Sequence, residues 1–447
     1  MTNQLQKPWQ WLSALFQSEV RNKTERRVGL EVERIAIWED GSAFCYQTDA
    51  KSKKPGAQEL LKKLHEAYGW KKVTSPSGET IGLECPHGKI SLEPGSQVEC
   101  AVSPQETLLE VARHLEDYDR QVDQVIQSWK GLKFLGLAVN PLNRLDQIDL
   151  IPSPRYHIMT EVLGKTGCYG TTMMRRTSSV QINLDYTSEA EAIEMLRVSL
   201  LVAPVSTALF ANSPFLEGKP TGFLSTRAEV WRNTDPGRTG LLKEAFRMGF
   251  NFDQYAAYLW KMPLMFVENE KGTYVNAQGC SLEKIHQGEL SGVSINPTNM
   301  RWAVQQLFTE GRLKPGYVEV RSIDGQLPEY RLASAAFWVG ILYDSEARKL
   351  AFNLLGTLSA ADREQLWVET SQRALKTEFK GLKVREVAEE LVHASVKSLK
   401  KRGKNEEVYL APLVENVRAG LCPAEKILES FSTKGRGNVL ELLKGEV

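Results

Sequence analysis

Acidic and amide side chains recur at every second position in several short segments of this 447-residue chain. ISLEPGSQVE places Glu93 and Glu99 around a Pro-Gly break, and RVGLEVERIAI carries Glu31 and Glu33. Hard oxygen ligands of this kind suit Mg²⁺ or Mn²⁺, whereas a zinc site would need a histidine and cysteine set. The pattern therefore favours a metal site built from carboxylates.

Two further segments repeat the alternation and add a cation. SVQINLDY alternates apolar residues with Gln181 and Asn183, and GYVEVRSID alternates them with Glu319 and Arg321. Period-two alternation is typical of a strand with one buried and one polar face, and a single such strand usually has a solvated polar face. Carboxylates gathered from several strands repel one another unless cations lie between them. We therefore predict an acid-lined antiparallel sheet that binds Mg²⁺ and nucleotide phosphates, with Arg321 contacting phosphate.

The usual nucleotide-binding loops are missing from the sequence. It contains no G-x-x-x-x-G-K-[ST] motif and no G-x-G-x-x-G opening a helix. If ATP binds, metal ions and arginines must hold it.

Composition excludes some partners and suggests a compartment. Fifty-six basic and 55 acidic residues leave a net charge of +1, which gives no field for nucleic acid or a membrane surface. We expect no membrane-spanning segment, because no apolar run approaches the roughly 20 residues that cross a bilayer. The N-terminal residues resemble neither a signal peptide nor a transit peptide, and the cysteines are widely spaced. We predict a cytoplasmic protein with no nucleic-acid or membrane partner.

Helices and strands alternate along the chain without a low-complexity linker. The run at 103–106 predicts the start of a helix that Gly131 closes, and Ser188 predicts the cap of another helix. Pro204 should kink or divide that second helix. From about Ala360 onward the pattern is helical.

Longer stretches carry a family resemblance. ISLEPGSQVE, RYHIM, MMRRTSSVQINLDY, YVEVRSIDG, FWVGILYD and CPAEKILE occur in this order. Over about residues 24–432 the chain resembles the plant-type glutamate–cysteine ligases of the glutamine-synthetase-like carboxylate–amine ligase superfamily. The resemblance implies an α+β fold: a curved, mainly antiparallel sheet whose polar concave face forms the site, with helices on the other face. It also implies a single catalytic domain, 1–447, with a helical part at about 345–447 packed on it.

The implied activity joins the γ-carboxylate of glutamate to the amino group of cysteine at the expense of ATP. A γ-glutamyl phosphate would be the intermediate and γ-glutamylcysteine, the precursor of glutathione, the product. Glutamate, cysteine and ATP are the expected partners, with Mg²⁺ (or Mn²⁺) as cofactor, in a monomer or homodimer.

The resemblance also implies roles for individual residues. The expected metal ligands are Glu31, Glu33, Glu93, Glu99, Gln181 and Glu319. Catalysis is expected from Glu31, Glu319 and Arg321, and nucleotide binding from Arg321 and Asn183. The expected substrate-binding residues are Arg176, and Arg227 with Trp231 in STRAEVW, which would share a helix face.

Three alternatives stay open at this point. A ligase of the same fold could use another amine or another acid, because the metal strands would look the same. The same product could supply ergothioneine synthesis. From a different class, the chain could be an inactive binding protein that keeps the fold.

Overall fold

The structure is a computed structural model that describes residues 7–22, 26–434 and 437–444. In chain order its strands are β1 (Val28–Trp38), β2 (Lys71–Thr74), β3 (Thr80–Cys85), β4 (Gly88–Leu92), β5 (Val98–Gln105), β6 (Leu132–Leu135), β7 (Ser179–Asp185), β8 (Phe215–Leu216), β9 (Lys219–Pro220), β10 (Thr239–Gly240), β11 (Phe266–Glu268), β12 (Tyr274–Asn276), β13 (Phe308–Thr309), β14 (Gly311–Lys314), β15 (Tyr317–Asp324), β16 (Glu378–Phe379) and β17 (Leu382–Lys383).

The helices cover most of the remaining chain. They are α1 (Gln10–Ser18), α2 (Ala57–Tyr68), α3 (Leu108–Ile126), α4 (Pro154–Thr166), α5 (Gly170–Arg176), α6 (Glu189–Phe210), α7 (Thr226–Arg232), α8 (Phe252–Lys261), α9 (Leu282–His286), α10 (Pro297–Gln305), α11 (Pro328–Leu342), α12 (Ser345–Leu355), α13 (Ala360–Arg373), α14 (Val384–Arg402), α15 (Ala411–Ala419), α16 (Pro423–Thr433) and α17 (Val439–Lys444).

One large antiparallel sheet organises the molecule. Its strand order is β14-β15-β7-β1-β5-β4-β3-β2, and β6 pairs with the second half of β1. Strands that lie far apart in the sequence are therefore neighbours in the centre of the sheet. The predicted α+β class with a mainly antiparallel sheet is confirmed.

The two faces of the sheet follow the alternation in the sequence. Leu30, Ile182 and Val320 lie side by side across three adjacent strands and are fully buried. Helices α3, α6 and α11 pack against the central strands on this apolar side. The residues between them, such as Glu31 and Gln181, point to the opposite face, because successive side chains on a strand alternate.

Helix α6 differs from the sequence-based expectation in two ways. It continues without a break through Pro204 to Phe210, although its predicted cap, Ser188, does accept a hydrogen bond from the Glu191 backbone. By length and composition alone α6 could span a membrane, whereas the sequence analysis expected no apolar run long enough to do so. In the structure, 89% of its most apolar window is buried, and it packs against β14, β15, α12 and α13.

The predicted helix start at 103–106 is wrong. Residues 103–105 form the end of β5, where Gln105 pairs with Val28, and Glu106 follows the strand. Pro104 is tolerated there because it lies at a bulge, where the pairing register with β1 shifts between Val28 and Leu30. Helix α3 begins instead at Leu108, after a capping box formed by Thr107 and Glu110.

The C-terminal helices pack behind the sheet. α12 and α13 contact α6, and α14 contacts α11. A continuous cluster of buried apolar side chains extends from Leu12 to Ala424. The single-domain organisation stays a prediction, which this continuous core supports.

Candidate active site

A cavity of about 490 Å³ lies over the polar face of the central strands. Side chains from β1, β5, β7, β14 and β15 form its floor, and α4, α5 and α10 contribute to its walls. The sequence-predicted residues that line it are Glu31, Glu33, Glu93, Glu99, Gln181, Trp231, Glu319 and Arg321. The strand order thus brings together acids that are separated by up to 288 positions in the chain (319 − 31).

Three of these acids form a compact group, which we call the acid triad. One carboxylate oxygen of each of Glu33, Glu93 and Glu99 lies within 4.8 Å of those of the other two. Glu33 and Glu99 are directly opposite each other on β1 and β5. The hydroxyl of Ser91 donates to Glu99 at 2.8 Å.

The Pro-Gly break delivers the third acid to the triad. β4 ends at Leu92, and Glu93 opens the turn to β5, where its backbone N–H donates to the Gln97 carbonyl at 2.9 Å. The Gln97 amide group in turn donates to carbonyls at the end of α5 and just beyond it. Gly95 permits this docking, since a Cβ there would lie 2.2 Å from the carbonyl oxygen of Arg175. The turn is therefore held against α5 with Glu93 pointing into the cavity.

Burial and mutual repulsion disfavour the ionised triad. Burial raises the pKa of Glu33 and Glu93 to about 7 and the pKa of Glu99 to about 8. Neighbouring carboxylates add to the effect: Glu99 raises the pKa of Glu33, and Glu31 raises that of Glu99. Three converging carboxylates that repel one another suit a hard divalent cation such as Mg²⁺ or Mn²⁺.

The opposite part of the floor is cationic. Three cations line the cavity there: Arg312 and Lys314 from the edge strand β14, and Arg321 from its neighbour β15. Glu319 lies between the two arginines: Arg312 Nη2 is 3.1 Å and Arg321 Nη1 is 3.3 Å from its carboxylate. Although burial alone raises the pKa of Glu319, these cations hold it well below its usual range. The structure places Glu319 among cations, apart from the acid triad.

Two amide side chains connect the acidic and cationic parts. Gln181 donates to Glu33 at 2.8 Å, and its oxygen accepts from Arg321 Nη1. Asn183 donates to Glu31 at 2.8 Å and does not line the cavity. In this arrangement the Gln181 oxygen is occupied by an arginine, and Asn183 orients Glu31.

Arg227 and Trp231 lie on the same face of α7, as their spacing predicts, but at different depths. Trp231 lines the cavity, and the Arg321 guanidinium lies 5.3 Å from the centre of its ring. Arg227 is only 2% exposed and lies behind Arg321, whose backbone carbonyl accepts from Arg227 Nη2 at 2.9 Å. Arg227 therefore supports the backbone of Arg321 and does not line the cavity.

Arg176 is not brought to the cavity. Its Nη1 is 3.0 Å from Glu217, which lies in the turn between β8 and β9. Its backbone carbonyl accepts from the N–H of Asn140. The predicted substrate role of Arg176 conflicts with this placement, because the guanidinium is engaged on another side of α5.

Several cavity residues were not predicted from the sequence. Arg155, at the start of α4, lines the wall near the triad, and its positive charge acts on Glu93. Lys89, in β4, lines the cavity on the same side. RYHIM had marked the neighbourhood of Arg155, and GRLK, before GYVEVRSID, alternates Arg312 with Lys314. Neither segment alone indicates a cavity, because the strand order that brings these residues together is not visible in the sequence.

Solved structures place the fold among carboxylate–amine ligases. A glutamate–cysteine ligase from Francisella tularensis in complex with AMP matches with a TM-score of 0.58 and 13% identity, over 93% of this chain and 86% of that one. A bifunctional glutathione synthetase from Pasteurella multocida matches with a TM-score of 0.53 and 14% identity, over 97% of this chain and 52% of that one. At these identities the likeness concerns the fold.

The sequence comparison is more specific, and it confirms the resemblance. The chain belongs to glutamate-cysteine ligase family 2, whose sequence model matches residues 27–445. The chloroplastic glutamate–cysteine ligase of Nicotiana tabacum is 37% identical over 95% of this chain and 80% of the relative. Those of Arabidopsis thaliana and Oryza sativa subsp. japonica (form A) are 36% and 34% identical over 94% and 96% of this chain.

The predicted cytoplasmic location is contradicted by these relatives. All three are named as chloroplastic enzymes. The prediction rested on the composition of the N-terminal residues and on cysteine spacing, neither of which decides a compartment.

Proposed function

We propose that this protein is an ATP-dependent glutamate–cysteine ligase that produces γ-glutamylcysteine. The observation that carries the proposal is the meeting of the acid triad and a cationic group across one cavity, in a chain of glutamate-cysteine ligase family 2. The named activity of the curated relatives and the AMP in the F. tularensis complex support it.

The first half of the reaction activates a poor electrophile. A γ-carboxylate oxygen of glutamate attacks the terminal phosphorus of ATP, and the bond to the bridging oxygen breaks with ADP leaving. Phosphoryl transfer depends chiefly on positioning and on neutralising charge. Arg321, buried at 7% exposure and held by Gln181 and Glu319, is a preorganised donor for the phosphoryl oxygens.

The acid triad is proposed to hold Mg²⁺ or Mn²⁺, with Glu31 beside it. The donor set fits, because Glu33, Glu93 and Glu99 converge and are disfavoured as free anions. A divalent ion bound there supplies charge neutralisation for the nucleotide phosphates. Lys89 and Arg155 add positive charge on the same side of the cavity.

The second half of the reaction forms the amide bond. The cysteine amine attacks the carbonyl carbon of γ-glutamyl phosphate, and phosphate leaves. Water must be excluded, or the acyl phosphate is hydrolysed. The aromatic side chains Trp231, Phe266, Trp302 and Phe308 line the cavity and supply an apolar wall.

The test is ADP release with Mg²⁺ and ATP across pairs of amino acids, with the product identified by mass. We expect γ-glutamylcysteine from glutamate plus cysteine, with little ADP from either alone. ADP release with a different amine or acid would support the ligase chemistry but assign a different substrate. Binding of Mg-ATP without turnover of any pair would overturn the proposal in favour of an inactive binding protein.

A further inference from the structure

Lys314 is a buried lysine that nevertheless lines the cavity. It ends the edge strand β14 opposite Tyr317 and is only 2% exposed. Within the described part of the chain, its Nζ donates only to the side-chain oxygen of Gln305, on α10. No carboxylate of the described residues lies within ion-pair distance of this amine. Arg312, on the same strand, is by contrast paired with Glu319.

The surroundings of Lys314 favour its neutral form. Burial, followed by the neighbouring charge of Arg312, lowers the pKa of Lys314 to about 7. The other charged or titratable groups around it are Glu319 and Arg321 on β15, Glu31 on β1, and Tyr317, its pairing partner on β15. Glu319 and Glu31 oppose the shift, but Glu319 is already paired with two arginines.

The other candidate bases in the cavity are engaged elsewhere. The acid triad faces the proposed metal ion, and Glu31 beside it accepts from the Asn183 amide. Glu319 accepts from Arg312 and Arg321. Burial raises the pKa of Tyr317, so its phenol stays protonated at neutral pH. An ammonium substrate needs an acceptor with a free lone pair and comparable basicity, and a neutral lysine provides both.

We propose that Lys314 is the general base that removes a proton from the cysteine ammonium before the amine attacks. This inference rests on the proposed ligase function and adds a catalytic residue to it. The family comparison, the metal site and the sequence motifs do not assign this step to any residue.

Atoms and charges balance in this step. The Lys314 amine takes one proton from the ammonium and becomes an ammonium itself. The freed amine nitrogen forms a bond with the γ-carbonyl carbon, and the carbon–oxygen bond to phosphate breaks with the electron pair on oxygen. The second proton on nitrogen leaves as the amide forms and ends on the departing phosphate. Lys314 returns its proton to solvent after product release.

The test compares cysteine with hydroxylamine, an amine that is largely unprotonated at neutral pH and needs no base. The two variants are Lys314→Met, which lacks the amine, and Lys314→Arg, which is permanently charged and cannot accept a proton. We expect kcat with cysteine to fall about 10²- to 10⁴-fold in both variants. Formation of γ-glutamyl hydroxamate from hydroxylamine should fall by less than about tenfold.

The unaltered enzyme provides a second readout that does not depend on folding of a variant. Its kcat with cysteine should rise with pH through a group of apparent pKa near 7, while its kcat with hydroxylamine should lack that limb. Near-normal cysteine turnover by Lys314→Arg, or equal losses with both nucleophiles, would overturn the inference. Failure of the unaltered enzyme to join glutamate and cysteine would instead overturn the proposed function.

Discussion

Glu33 on β1 and Glu99 on β5 are directly opposite each other, and their carboxylates converge with that of Glu93 to within 4.8 Å. Like charges on directly opposed strand positions destabilise a sheet. Here three such groups are largely removed from water, so their charges carry an electrostatic cost that a divalent cation bound between them would remove.

This cost makes the stability of the metal-free protein depend on pH. The pKa of each triad acid is raised from an ordinary value of 4.5 to about 7 or 8. Protonation of the triad therefore favours the folded state, and this stabilisation is lost as the pH rises through that range. We expect the melting temperature in EDTA to fall between about pH 5 and pH 8 and then to level off, and the increase on adding Mg²⁺ to grow as the pH rises towards about 8.

A matched pair of variants checks the source of this effect. Glu99→Gln should flatten the pH dependence and weaken Mg²⁺ binding by at least about tenfold. The control is Glu84→Gln, which alters an exposed acid on β3, two strands away from β5, that is paired with Lys71; it should change neither. An Mg²⁺-induced shift that is the same at both ends of the pH range would contradict the assignment of the triad.

The ion-paired group of Arg312, Glu319 and Arg321 should be sensitive to loss of either charge. Arg321→Ala removes a buried donor, and Glu319→Gln leaves two arginines without their carboxylate. We expect kcat to fall about 10²-fold or more in each, as is typical when preorganised charge stabilisation is removed. Arg144→Ala, at an exposed ion pair with Asp146, is the control and should keep full activity. Rates near those of the unaltered enzyme would remove the altered residue from the site.

The structure and the sequence-based assignment differ about which arginine, Arg155 or Arg176, reaches the cavity. Arg155 lines the cavity, whereas Arg176 is paired with Glu217 outside it. Loss of a charge-assisted hydrogen bond to substrate costs about 1.5–3 kcal/mol, so Arg155→Gln should raise KM for glutamate or ATP about tenfold or more. Arg176→Gln should lower the melting temperature and leave both KM values nearly unchanged. The reverse pattern in steady-state kinetics would contradict the placement of these two arginines.

Gly95 tests whether the turn between β4 and β5 delivers Glu93. A methyl group there would meet the Arg175 carbonyl at 2.2 Å, so Gly95→Ala must push the turn away from α5. We expect a destabilisation of about 1–3 kcal/mol by chemical denaturation, together with weaker Mg²⁺ binding. Gly164→Ala, inside α4 with its nearest neighbour at 3.6 Å, is the control and should be neutral or slightly stabilising. Unchanged Mg²⁺ affinity in Gly95→Ala would contradict the claim that this turn positions Glu93 for metal binding.

The strands and the acids of the site could be predicted because alternation is a local property. Leu30, Ile182 and Val320 face the helices and Glu31 and Gln181 the cavity, as period two requires. The order of the strands is not local, and it decides which side chains meet. Nothing in GRLK indicates that β14 is an edge strand beside β15, so Lys314 was missed.

Arg227 and Glu319 lie differently from what their predicted roles imply, and the reason is the same. Arg227 has the spacing from Trp231 that places both on one helix face. Its guanidinium is nevertheless buried against β15, where it contacts the Arg321 carbonyl and the Asp324 carboxylate. Glu319 lies on the polar face of its strand, as a metal ligand would. Its carboxylate, however, accepts hydrogen bonds from Arg312, which is directly opposite on β14. Pairing partners, which the sequence does not show, determined both outcomes.

The most direct test of the account follows an oxygen atom. Glutamate labelled with ¹⁸O in its γ-carboxylate is incubated with ATP, Mg²⁺, cysteine and the enzyme, and the inorganic phosphate is analysed by mass spectrometry. If the γ-carboxylate attacks ATP and phosphate later leaves from the acyl phosphate, one labelled oxygen must appear in each phosphate released. Phosphate free of label, formed while γ-glutamylcysteine accumulates, would contradict activation of glutamate as a γ-glutamyl phosphate.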